Sequence, residues 1–347
     1  MQKKKICYLG KELHTSHWIN LPSGDCNSIR KAYYAKPNKK DVQISLKKIG
    51  NGSSNISIIV KYYFKNLMSK VRLQSARWTI DEVMQCDDLI RYYYSRIMSS
   101  EKIYPPSKGI QKNFETALRI SGGRIAMKPS NFPIKVSDYI LEKYNTNDNY
   151  YDFSCGWGVR LLSSMRKGLN YYGTDPNHLL VYRLKSLYTD YNTENKTIYN
   201  PDIRCQGSEI YIPEWENKMG LIFSSPPYYC LEDYGVGCQS IYKDGENNIK
   251  TYDEWLVTYI NPTIEHCVKY LVHGGYFLVN VKNSKEHCIY DDIFKELKKY
   301  LNYIGTEDLT IIKRPSSKKN LNTNEHIMVF QKKKTVIDSI ERKKIPQ

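Results

Sequence analysis

The chain has 347 residues, enough for one large domain or two ordinary ones. At 41% hydrophobic and 25% charged it reads as a soluble globular protein, and no stretch approaches the roughly eighteen consecutive apolar residues of a membrane helix. Its net charge of +16 is concentrated in residues 1–130, where 24 Lys and Arg face 9 Asp and Glu, against 28 and 27 in residues 131–347, so a cationic block precedes a nearly neutral body and a polyanion such as nucleic acid is the expected partner.

The start, "MQKKKICYLGKELH", has basic residues but no apolar core of signal-peptide length, so a cytoplasmic location is expected. Nine scattered cysteines, none in Cys-x-x-Cys spacing, read as free thiols, and no metal site is expected. Val42–Phe64, "VQISLKKIGNGSSNISIIVKYYF", reads as two strands around a Gly/Asn turn. Thr79–Met98 has helical spacing with Thr79 as N-cap, "YPPSKG" (Tyr104–Gly109) is a break, and Phe132–Tyr144 is an amphipathic helix with Pro133 near its first turn.

From residue 149 the pattern changes to alternating short strands and helices. "NYYDFSC", "NYYGTD", "IRCQG", "MGLIFSS" and "YFLVNVKN" are strands. "GVRLLSSMRKG", "NHLLVYRLKSLYTDY", "YDEWLVTYINPTIEHCVKYLVHGG" (Tyr252–Gly275, closed by Gly-Gly) and "IYDDIFKELKKYL" are helices. "EDLTIIKR" and "EHIMVFQKK" form a terminal pair without room for a crossover helix, so one of them runs antiparallel. The alternation predicts an α/β fold, a mostly parallel sheet with helices on both faces.

Two strand ends carry the chemistry. In "YDFSCGWGVRLL" (Tyr151–Leu162), Gly156 and Gly158 fall where the first strand turns into a helix, a place where backbone can approach a ligand beside a helix N-terminus. The second strand ends on Asp175, about twenty residues later, where a carboxylate can accept both hydroxyls of a ribose. The turn lacks the third glycine of pyrophosphate-binding loops, so a nucleoside cofactor fits it better, S-adenosyl-L-methionine above all. The fourth strand delivers "SSPPYY" to the same edge. Proline has a fixed φ and no N–H, so Pro226-Pro227 holds a stiff kink whose preceding carbonyls, with the Ser225 hydroxyl, can accept hydrogen bonds from an amino group. Tyr228 offers a face on which a planar base can stack. Cys230 does not follow proline and is assigned no catalytic role; His266, His273 and His287 read as ordinary residues.

These motifs resemble the amino-methylating DNA methyltransferases, the N4-cytosine/N6-adenine family, over roughly Asn131–Lys334. "DFSCGWG" is similar to the family's cofactor loop, "GTDPN" to its ribose-binding strand end, "SSPPY" to its catalytic motif, and "NFPIKVSDYILEKY" to the helix preceding the cofactor loop. The resemblance implies a Rossmann-like methyltransferase fold with a seven-stranded sheet and an antiparallel terminal strand. It implies cofactor contacts from Phe132, Asp152, Phe153, Ser154, Gly156, Gly158, Asp175 and Ser208, and catalysis by Ser225, Pro226, Pro227 and Tyr228. The loop departs from the usual Asp-Pro-Phe, and the third strand offers Ser208 or Glu209 where an acidic residue contacts the cofactor's adenine. Only about sixty-five residues separate the two motifs, too few for a target-recognition domain, so the basic residues 1–125 are the expected reader of double-stranded DNA. Residues 126–335 form the catalytic domain and 336–347 a basic tail. The expected activity is methylation of a flipped base at N4 of cytosine. N6 of adenine, an RNA substrate, and a DNA-binding protein on an inactive methylase core are the alternatives, and a cognate restriction enzyme enters as an optional partner.

Overall fold

The computed structural model describes residues 4–15, 23–73, 76–98, 126, 129–229, 232–234, 249, 251–284, 286–308 and 326–333. In chain order the N-terminal elements are β1 (Lys4–Tyr8), β2 (Lys11–Thr15), α1 (Ser23–Tyr34), α2 (Lys39–Gly50), α3 (Ser57–Met68), β3 (Arg72–Leu73), α4 (Ile80–Gln85) and α5 (Asp87–Met98). Two compact units result. The smaller holds residues 1–38, 61–130 and 230–237, and the larger holds 39–60, 131–229 and 238–347. The "YPPSKG" break and the basic tail lie outside the described residues.

The two strands expected over Val42–Phe64 are helices instead. In α2 the buried residues are Val42, Leu46 and Ile49, one helical face, while Ile44 is 51% exposed. In α3, Ile59, Val60, Tyr63, Phe64 and Met68 are buried, again at helical spacing. The β-branched residues suggested strands, but the spacing of apolar residues matches a period of 3.6 rather than 2, and burial of one helical face outweighs a weak β preference.

In the smaller unit β1 and β2 pair antiparallel through a turn in which Leu9 and Gly10 have positive φ. Its core gathers Ile6, Cys26, Ile29, Tyr33, Trp78, Val83, Ile90 and Tyr93, and the Trp78 indole donates to the Tyr8 carbonyl at 3.1 Å. The single helix expected over Thr79–Met98 is two, broken at Cys86, whose ψ of 112° is extended. Thr79 caps the first with a full capping box: its Oγ1 accepts from Glu82 N at 3.0 Å and the Glu82 carboxylate accepts from Thr79 N at 2.6 Å. Thr79→Ala is expected to lower stability by about 1 kcal/mol, read as a shift in denaturant midpoint without change in slope.

The larger unit is built on β4 (Asn149–Asp152), β5 (Asn170–Thr174), β6 (Asp202–Arg204), β7 (Met219–Ser224), β9 (Leu271–Val281), β10 (Asn302–Asp308) and β11 (His326–Gln331). The remaining two-residue strand, β8 (Glu232–Asp233), pairs with β3 in the smaller unit. The sheet order is β10-β11-β9-β7-β4-β5-β6, with β11 antiparallel to both neighbours and the rest parallel. This is the expected Rossmann-like sheet, seven-stranded with one strand reversed. All six residues of β7 are buried, the continuous apolar run of a strand covered on both faces.

The helices of this unit are α6 (Ile134–Tyr144), α7 (Val159–Arg166), α8 (His178–Asn195), α9 (Tyr252–Trp255), α10 (Asn261–Tyr270) and α11 (Ile289–Tyr300), with a π-helical turn, Leu256–Ile260, joining α9 to α10. Tyr151, Ile222, Phe277 and Met328 pack with the α10 and α11 side chains Ile264, Cys267, Tyr270, Ile293 and Leu297. On β7 the neighbouring Phe223 meets Phe132, ring centroids 5.5 Å apart. Helix α2 packs on α8, with Gln43 Nε2 donating to Glu194 at 2.8 Å.

Two boundaries differ from expectation. The Gly-Gly pair expected to close a helix lies inside β9, which begins at Leu271. A Cβ on Gly275 would come within 3.0 Å of the Gly220 carbonyl oxygen, so a close approach of two strands, not a helix end, needs the glycine. The first strand of the terminal pair spans Asn302–Asp308, earlier than the expected residues 307–314, of which those from 309 lie outside the described residues.

Candidate active site

Strands β4, β5 and β7 lie side by side and parallel, so their carboxyl ends open on one edge. At the end of β4 the chain makes the glycine turn. Gly156 (φ 56°) and Gly158 (φ 72°) are both left-handed, and Gly158 is the N-cap of α7. A Cβ on Gly156 would meet no atom nearer than 3.8 Å, so the backbone angle and not crowding demands glycine there. Gly156→Ala is therefore expected to cost about 1–2 kcal/mol in thermal or denaturant unfolding.

Asp152 is completely buried. Its carboxylate accepts from Arg160 Nε at 2.8 Å and Nη2 at 3.0 Å, from the Tyr171 hydroxyl at 2.9 Å and from the Ser224 hydroxyl at 2.7 Å. Ser154 N donates to it at 3.3 Å. The Phe153 side chain is a core residue, its ring edge-on to Phe277 at 6.0 Å. Phe132 is half-buried, with the Arg160 guanidinium 5.8 Å from its ring centroid.

Asp175, at the end of β5, is 8% exposed. It accepts backbone hydrogen bonds from Asn177 (3.0 Å) and Gly156, yet burial dominates and pushes its carboxyl up to about 7. The turn after β6 separates two candidates. The Ser208 hydroxyl shares a hydrogen bond with Thr263 Oγ1 at 2.9 Å and donates to the Tyr259 hydroxyl at 3.5 Å, so it is spent within the protein. The neighbouring Glu209 has a buried Oε2 with no partner among the described residues, and burial raises its carboxyl.

The end of β7 carries Ser225 and Tyr228, both half-buried, with Pro226 buried between them. Asn280 on β9 braces this segment: its Nδ2 donates to Ser225 Oγ at 3.1 Å, and its backbone carbonyl accepts from the Tyr228 hydroxyl at 3.5 Å. Of the loop 230–240, only residues 232–234 are described. The three histidines have structural contacts: His287 stacks on Tyr252 at 4.1 Å, His266 lies against Tyr211, and His273 meets the Lys333 carbonyl at 3.0 Å.

The strand edge thus joins the glycine turn to Ser225–Tyr228. Residues 219–347 match the family of DNA methylases that modify N6 or N4 amino groups. The match begins at β7, includes the Ser-Pro-Pro-Tyr motif and runs to the end of the chain, in agreement with the resemblance to amino-methylating DNA methyltransferases. Among curated proteins nothing matches. Solved structures similar to this chain include a SAM-dependent O-methyltransferase of Thermotoga maritima (14% identity, covering 60% of this chain and 68% of that one, TM-score 0.39). Another is a TehB-like SAM-dependent methyltransferase of Corynebacterium glutamicum (13%, 57% and 87%, TM-score 0.38).

The residues missed in the sequence are Arg160, Ser224, Tyr171 and Asn280. The only signal for Arg160 in the sequence was an arginine at the start of a helix, eight positions after an aspartate; that Val159–Met165 are all buried is seen only in the structure. Such a cation needs a buried anion. Among the described residues, no cluster of three or more His, Cys, Asp or Glu could hold a metal, and no helix is long and apolar enough to cross a membrane.

Proposed function

We propose that the protein transfers a methyl group from S-adenosyl-L-methionine to the exocyclic amino group of a flipped base in double-stranded DNA, N4 of cytosine, acting in the cytoplasm. The observation that carries this reading is the joining of the two motifs at one sheet edge, where Ser224, the residue before the catalytic motif, hydrogen-bonds to Asp152 at the cofactor turn at 2.7 Å.

The residues present fit the cofactor. Gly156 and Gly158 carry no side chain on either side of the half-buried Trp157, so no Cβ bars a ligand from the backbone at these two positions. Asp175 is a buried carboxylate that still favours further donors, which two ribose hydroxyls supply. Glu209, rather than the expected Ser208, has a buried acceptor left over for the adenine amino group. When bound, S-adenosyl-L-methionine supplies an electrophilic sulfonium methyl. The chain's own part is orientation. The carbonyls before Pro226 and Pro227 and the Ser225 hydroxyl accept from the target amino group and draw it toward tetrahedral geometry. Its lone pair, otherwise shared with the ring, is then directed at the methyl. Tyr228 stacks on the base, and Asn280 holds Ser225 in place. Cytosine is favoured because Ser-Pro-Pro-Tyr accompanies N4 methylation in the family that this motif resembles.

Incubation with labelled cofactor and either DNA or RNA, followed by mass spectrometry of the nucleosides, tests this. N4-methylcytosine in DNA is expected. N6-methyladenine in its place would overturn the base assignment, label in RNA alone the substrate, and no transfer the enzymatic reading.

Target recognition falls to the basic residues 1–130 on the strength of their 24 Lys and Arg against 9 Asp and Glu; Tyr33, Tyr63 and Phe64 of "KAYYAK" and "KYYFK" are buried, so the cationic residues and not these rings carry the assignment. Counterion release makes such binding steeply salt-dependent, so DNA affinity of the full chain should drop by roughly a hundredfold or more between 50 and 200 mM salt. A flat response would remove this region from DNA binding. A cognate restriction enzyme is the partner proposed for such a methylase.

A further inference from the structure

A buried ion pair connects the two halves of the site. Asp152 takes four side-chain hydrogen bonds from three segments: two from Arg160 in the first turn of α7, one from Tyr171 on β5 and one from Ser224 at the end of β7. Arg160 Nη2 also donates to the Ser154 carbonyl, two residues before Gly156, and approaches Ser224 Oγ at 3.4 Å. The four acceptor positions of the Asp152 carboxylate are filled from within the protein, and nothing remains to bind a ligand directly. As a source of stability the arrangement is poor, because well-packed apolar residues often serve as well or better than a buried ion pair. What a bidentate fork between a planar guanidinium and a carboxylate does supply is fixed relative orientation.

The elements so oriented are the cofactor turn and the catalytic segment. Ser154 leads into Gly156, and Ser224 immediately precedes Ser225. We propose that Arg160, Asp152 and Ser224 are positioning residues that set the cofactor turn and Ser225–Tyr228 in one geometry, fixing the approach of the methyl donor to the amino group. The proposal rests on the methyltransferase reading above. It gives Asp152 a place behind the cofactor rather than against it, and it identifies Arg160 as the residue that completes the turn. A misplacement of about 1 Å at such a distance can cost a hundredfold in rate, so loosening the link should appear in kcat before binding.

Ser224→Ala removes one donor to Asp152 and leaves the ion pair whole. Expected are an S-adenosyl-L-methionine Kd within twofold of wild type by calorimetry and a kcat about tenfold lower. Arg160→Lys keeps the charge but loses the fork, and should lower kcat at least tenfold and also weaken the cofactor, because the Ser154 carbonyl is released. Since both act through Asp152, the double variant should lose less kcat than the product of the two single losses. A Ser224→Ala enzyme with kcat within twofold of wild type would overturn the proposal, as would losses of kcat and cofactor affinity in equal proportion in both variants. Strictly multiplicative losses in the double variant would do the same. Wild-type protein that binds S-adenosyl-L-methionine but methylates neither DNA nor RNA would sink the enzymatic reading itself, and the positioning proposal with it.

Discussion

Replacing Tyr228 with alanine is expected to lower kcat about ten- to a hundredfold, while Tyr228→Phe stays within about threefold of wild type. The ring and the hydroxyl are separable here. The hydroxyl donates to the Asn280 carbonyl at 3.5 Å, the outer limit of a useful hydrogen bond, so its loss removes little. The ring is half-buried beside Ser225 and Pro226 and is the surface proposed to hold the flipped base. Stacking of a base on an aromatic side chain contributes about 1–3 kcal/mol, and the alanine variant loses all of it. Steady-state kinetics on DNA, with cofactor affinity measured separately, tests the assignment. Equal losses for Phe and Ala would mean that the hydroxyl and not the ring does the work.

Removing the Asp175 carboxylate is expected to weaken S-adenosyl-L-methionine binding by about 1–3 kcal/mol, five- to more than a hundredfold. The same group makes binding depend on pH. Burial raises its carboxyl to about 7 in the folded protein, against an ordinary value near 4. The ribose hydroxyls proposed to meet Asp175 would donate to the ionised form, so the bound state should ionise at lower pH than the free one, and binding should release a proton below pH 7. Affinity should be flat above about pH 7.5 and fall by up to tenfold per unit below 7. For this group alone the stability sign is opposite. Between about pH 4 and 7 the folded state holds a proton that the unfolded state has lost, so raising pH through that window costs the unliganded fold stability. Calorimetric titration between pH 5.5 and 8.5 checks this. Asp175→Asn should bind weakly with no slope attributable to this group. A slope surviving in that variant would locate the titration elsewhere.

Much of the larger unit was legible because its signals are local. Gly156 and Gly158 are required by left-handed backbone angles, Asp175 is marked by its place at a strand end, and Pro226-Pro227 by the fixed φ and missing N–H of proline. Each is set within a few residues, so reading the chain in order recovers it. The alternation of short strands and helices likewise specified a parallel sheet, and the lack of room for a crossover specified its reversed strand. The N-terminal region was misread where local preference and burial disagree: β-branched residues in Val42–Phe64 pointed to strands, and the face they bury made them helices.

What the sequence by itself determined, then, is the sheet, the glycine turn, the acid at the second strand end and the proline motif. The partners of these groups were decided only by the tertiary structure. Asp152 reads in the sequence as a cofactor residue, and only the fold shows its acceptors filled by Arg160, Tyr171 and Ser224, up to 72 positions away, on which its proposed positioning role rests. Ser208 and Glu209 looked interchangeable until Thr263 and Tyr259 took the serine hydroxyl and left the glutamate oxygen unmatched. Asn280 gave no sign of its place beside Ser225, 55 residues earlier. The reason is physical. A buried polar group must find its hydrogen bonds somewhere, and in a parallel sheet the nearest donors lie on neighbouring strands that are distant in the chain.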